Sequence, residues 1–166
     1  ELPSILKVVE WSMPPAERTA VEACVLPGAY CAHMRSLIDA ILEGERGSCC
    51  ARAAAREADR ILNEYSGDVV NAERELVKQC DWVEGPSRLR FRLGHWVGAL
   101  AVSCRALKAV SGLRGGQCVD ALAECATKHQ GSGKGAVLAR RLARAAIRVA
   151  LRQLSAWCTL GELVDP

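Results

Sequence analysis

Apolar residues recur at spacings of three and four along most of the chain, and prolines and glycines punctuate the runs. The clearest case is Tyr30 to Leu42, where Met34, Leu37, Ile38 and Ile41 share one helical face before Gly44 stops the pattern. The same reading predicts an N-terminal helix over Leu2 to Trp11, with Leu6 and Val9 on one side, ended by Pro14-Pro15. A second runs over Ala16 to Val25 and stops before Pro27-Gly28. Ser48 is placed to cap a fourth helix, which crosses an alanine-rich stretch to Tyr65 and stops at Gly67. A fifth covers Asp68 to Trp82 through Val69, Leu76, Val77 and Cys80, and Gly85-Pro86 breaks it. From Ser87 a helix continues through Trp96 and Leu100 to Val110, almost wholly apolar between Trp96 and Cys104, as expected of a helix surrounded by others. Helices over Gln117 to His129 and Ala136 to Trp157 complete the set. The expectation is one all-α domain of about eight helices around a central apolar one, with no fixed-period repeat of the kind solenoids show.

Composition supports the helical reading. Half of the 166 residues are hydrophobic but only 4% are aromatic, so alanine, leucine, valine and cysteine carry the apolar mass. The net charge of +3 is weak, and no apolar run approaches the ~20 residues a membrane span needs. Nine cysteines, an odd number, include the adjacent Cys49-Cys50; several others lie within apolar helical patterns, where a thiol serves as a small hydrophobe. No secretory leader pattern precedes them, so they read as reduced thiols of an intracellular protein.

The candidate chemistry is thin. Gly131-Ser132-Gly133-Lys134-Gly135 has the flavour of a phosphate loop, but Lys128 stands where the first glycine belongs and Gly135 replaces the magnesium-binding hydroxyl. It reads as an interhelical turn. Cys24, Cys31 and His33, and Cys118, Cys125 and His129, lack the close spacing of structural zinc ligands. No nucleophile is tied by sequence to His33, His95 or His129, so neither an enzyme nor a metal or cofactor site is expected. Arg140, Arg141, Arg144, Arg148 and Arg152 concentrate positive charge in the last helix, without interleaved aromatics for base stacking. They read as a solvated face, and nucleic acid is not the expected partner.

Two segments together resemble a known family. In Ala55 to Tyr65, Ala58 is followed by the acid Asp59 and, two places on, by the apolar Ile61, which is similar to the BH3 motif of the Bcl-2 apoptosis regulators. Gly94 to Leu100, with Trp96 opening the apolar helix, resembles that family's BH1 signature, although Gly98 stands where the family has an arginine. Trp157, Gly161 and Leu163 are faintly similar to a further motif. The resemblance, nearest to viral members, implies an inhibitor of apoptosis that holds the BH3 helix of pro-apoptotic proteins in an apolar groove. That groove would be walled by the helices over Asp68 to Trp82 and Ser87 to Val110. Tyr65, Val69, Leu76, Val77, Phe91, Trp96, Gly98 and Ala99 would line it, and Arg92 or Arg90 would supply the ion pair. The same resemblance implies a location in the host cytosol or at the mitochondrial surface, and self-association that covers the exposed groove. The alternatives are a protein of that fold acting on innate immune signalling, and a basic bundle that binds nucleic acid.

Overall fold

A computed structural model describes residues 15–44, 48–79, 85–131 and 133–162. Among these residues there are five helices and no strand: α1 (Pro15–Glu43), α2 (Cys49–Gln79), α3 (Gly85–Val110), α4 (Gly116–Lys128) and α5 (Lys134–Leu160). The all-α expectation holds, but the count of about eight does not. The segment Leu2 to Trp11, and the end of the expected fifth helix at Trp82, lie outside the described residues.

Two fusions account for the remaining difference. α1 runs straight through Pro27, so the two helices expected on either side of it are one. Proline cannot donate the intrahelical hydrogen bond at that point, yet its ring is almost fully buried, and that burial offsets the missing bond. α2 likewise passes through Gly67. Glycine inside a helix costs about 1 kcal/mol relative to alanine. The flanking turns recover it, since Ile61, Leu62 and Ala72 are buried and Asp68 is tied to α3.

α3 is the hub and touches each of the other four helices. α1 lies along it in parallel, with Tyr30 beside Cys104 and Ile41 near Val110. α2 returns antiparallel, so that Asp68 meets Trp96 and Glu75 meets Arg92. α5 starts tight against α3: a Cβ on Gly135 would lie 3.2 Å from Val102 Cγ2 and 3.6 Å from the Ala99 Cα. Gly135 thus serves close helix contact. The shared core runs from Met34, Ile38 and Ile41 through Ala54, Ala58 and Ile61 to Leu100, Leu107, Leu122, Leu138 and Leu142. Alanine on the facing sides lets these long helices approach closely. Ser48 takes the N-cap position of α2, its Oγ accepting from the Ala51 amide at 3.2 Å.

Candidate functional site

The residues expected to form a groove, and those of the BH3-like segment, separate into two environments. Ala58, Ile61, Trp96 and Ala99 are core side chains, each at most 1% exposed. Tyr65, Val69 and Leu76 are half-buried along α2, while Val77 is exposed. Phe91 is 89% exposed on the outer side of α3. Arg92 is paired with Glu75 of α2, so its charge is already matched within the chain. Arg90 is exposed, and Gly98 faces open space. Asp59, read as the BH3 acid, is exposed and accepts a 3.5 Å hydrogen bond from Asn63 one turn on.

Two polar clusters join α5 to the rest. In the first, Trp96 Nε1 donates to Asp68 Oδ2 at 2.8 Å, and Tyr65 meets the indole edge-on at 5.5 Å. The Lys134 ammonium lies 3.2 Å from the centre of the Trp96 ring, 3.6 Å from Asp68 Oδ2, and donates to His95 Nε2 at 3.1 Å. The lysine of the glycine-rich turn therefore clips α5 to α2 and α3. A cation in the first turn of a helix opposes the helix dipole, and the Asp68 carboxylate and the indole face offset that.

In the second cluster Arg141 forks onto Glu64 at 2.7 and 2.8 Å and reaches Glu57 Oε1 at 2.9 Å. The hydrogen bonds from Arg141 hold the Glu64 carboxyl below its ordinary range, and the two carboxylates push the guanidinium up. Glu57 and Glu64 are seven residues apart, two helical turns, and so share one face of α2. That spacing was a readable signal for a cationic partner, but neither clamp is legible from one helix alone.

The outer side of α5 differs. Arg140, Arg144, Arg148 and Arg152 are exposed at intervals of four, and α5 contains no acidic residue. Beyond Ala146 none of its side chains is buried, and Leu151 is 58%, Leu154 53%, Trp157 53% and Leu160 70% exposed. Gly161 closes the helix in the left-handed region at φ 70°, its N–H donating to the Trp157 carbonyl.

The thiols are structural where they are buried. Cys118 Sγ donates to the Leu113 carbonyl at 3.1 Å and lies 3.2 Å from Ser48 Oγ, which binds the turn after α3 and the start of α2 to α4. Burial pushes Cys104 up to about 11 and also raises Cys31 and Cys125. Cys31, Cys49, Cys104, Cys118, Cys125 and Cys158 are in no disulfide.

Fold and surface together define an all-helical bundle whose inner charges clamp helices and whose last helix carries an uncovered outer face. The family model for the gamma tubulin complex component N-terminal region matches residues 4–166, and the chain belongs to that family. No curated protein and no solved structure matches the chain.

The family match overturns the resemblance to the Bcl-2 regulators and the function and partners that resemblance implied. An inhibitor of apoptosis, BH3-containing partners, a viral origin and an innate-immune role are not supported; nor is the nucleic-acid alternative. The physical reason lies in the motif itself. A small residue, an acid and an apolar residue two places on will arise on any alanine-rich amphipathic helix. Here Ala58 and Ile61 simply face the core while Asp59 faces out.

Proposed function

We propose that this chain is a helical scaffold unit of a gamma tubulin complex component, working without catalysis. It holds other components of the complex, or gamma-tubulin itself, in the arrangement needed for microtubule nucleation, at microtubule-organising sites in the cytoplasm. The observation that carries this reading is the family match across residues 4–166. The distribution of polar groups supports it: Asp68, His95, Lys134, Glu57, Glu64 and Arg141 are engaged in helix-to-helix contacts. Rigid bundles with uncovered side-chain faces suit assembly, in which affinity comes from burying preformed surface. Among the described residues no helix is long and apolar enough to cross a membrane.

The test is size-exclusion chromatography of the purified chain with recombinant gamma-tubulin and with other gamma tubulin complex components. Co-elution with one or more of them is expected. A folded, helical chain that elutes alone from every mixture would reject the scaffold reading.

A further inference from the structure

The outer face of α5 carries charge that no carboxylate among the described residues matches. Arg140, Arg144, Arg148 and Arg152 are all exposed, and their spacing of four makes them one ladder with a rise of about 6 Å per rung. Like charges at this spacing repel one another, and a helix face that is merely solvated commonly interleaves acids and bases. α4 does so, with Glu124 bonded to Lys128 one turn away. On α5 the paired cations are Lys134, with Asp68, and Arg141, with Glu57 and Glu64. Among the described residues no carboxylate meets the four ladder arginines; Arg140 reaches only the Gly131 carbonyl, at 3.4 Å.

The ladder is bordered by apolar side chains. Leu151 lies three residues past Arg148 and Leu154 three further, both more than half exposed, and Val137 precedes Arg140 by three. We propose that this face is a docking strip for an acidic amphipathic helix of a partner protein. Carboxylates four residues apart on that helix meet Arg140, Arg144, Arg148 and Arg152, and its apolar edge covers Leu151 and Leu154.

Three features favour such a helix over a phosphate polymer or an anionic bilayer. A sugar–phosphate backbone offers nothing apolar to Leu151 and Leu154. The strip is one helix wide and runs about 18 Å from Arg140 to Arg152, a span that a few turns of one helix match and an extended polyanion overruns. A bilayer-lying helix needs its apolar face free, whereas Leu138, Leu142 and Ala146 of α5 are buried in the bundle. The proposal rests on the scaffold reading only in taking another protein as the natural partner.

The test uses the whole chain and a synthetic alanine-based peptide bearing four glutamates at intervals of four and a leucine edge. Fluorescence anisotropy compares it with a peptide of the same composition whose glutamates are scattered round the helix. The ordered peptide is expected to bind at least tenfold tighter than the scattered one. Arg144→Glu/Arg148→Glu, at exposed positions and checked for folding by circular dichroism, should lose tenfold or more for it. A lysine version of the peptide should bind this variant better than it binds the wild type. Equal binding of the two glutamate peptides, or no loss in the folded variant, overturns the proposal. Tighter binding to duplex RNA or to phosphatidylserine vesicles than to the ordered peptide overturns it as well. The scaffold reading is separable: wild type and variant co-eluting equally with gamma tubulin complex components would sink the strip and leave the scaffold intact.

Discussion

The two halves of α5 look alike in sequence and differ in almost everything physical. From Lys134 to Ala146 the helix is held by Leu138, Leu142 and Ala146 in the core and by the Lys134 and Arg141 clamps. From Ile147 to Leu160 it keeps the same leucine-and-arginine alternation, yet no side chain there is fully buried, and Val149 and Ala150 reach the core only partly covered. An amphipathic period says that a helix has an apolar face; it does not say that the fold provides something to cover it. The second half, about 14 residues, is near the length at which an isolated helix is marginal in water, so it borrows order from the first.

That contrast can be broken most forcefully in the core. Leu142→Ala should destabilise the bundle by about 3 kcal/mol, because it removes a fully buried side chain among long helices that cannot collapse onto the gap. Leu154→Ala, at a position 53% exposed, should change stability by less than about 0.5 kcal/mol. Urea unfolding followed by circular dichroism measures both.

The two neighbouring arginines sharpen the comparison. Arg141→Met should cost about 1–2 kcal/mol, since it breaks a forked contact and leaves the Glu64 carboxylate without that cation. Arg140→Met should leave the urea midpoint nearly unchanged.

A smaller effect is carried by pH. Glu64 titrates below its ordinary value near 4.5 because Arg141 bonds its charged form. A depressed folded value means the native state binds the proton less readily than the unfolded chain does. The clamp's contribution is therefore complete above that ordinary value and is lost as pH falls through the lower, folded one. Thermal melts of wild type and Arg141→Met should be fully separated above about pH 5 and draw together as pH falls further below 4.5.

The smallest expected difference concerns reactivity. Iodoacetamide at pH 8 should label the exposed Cys158 first. Cys104, buried and pushed up to about 11, should react only as the protein opens, and peptide mass spectrometry gives the order.

Much of the fold was readable from periodicity. The run from Met34 to Ile41, the cap at Ser48 and the central role of the helix through Trp96 and Leu100 stand as expected, whereas the turn expected over Gly131 to Gly135 yields Lys134 and Gly135 to α5. Pro27 and Gly67 misled because their local cost is smaller than the tertiary burial of the turns around them. The clamps stayed hidden because each depends on two helices distant in sequence: Glu57 and Arg141 are 84 residues apart. The arginines were read as a solvated face, and the sequence alone could not reveal that Arg141 turns inward to α2 while Arg140 and Arg144 do not.

Hydrogen–deuterium exchange, read peptide by peptide along α5 with and without gamma tubulin complex components, tests the central claim most directly. In the free chain, residues 136–146 should exchange slowly and residues 147–160 quickly, and added components should slow the second segment at least tenfold. Equal protection of both halves in the free chain, or no change in residues 147–160 on adding components, would contradict an uncovered helical face built for assembly.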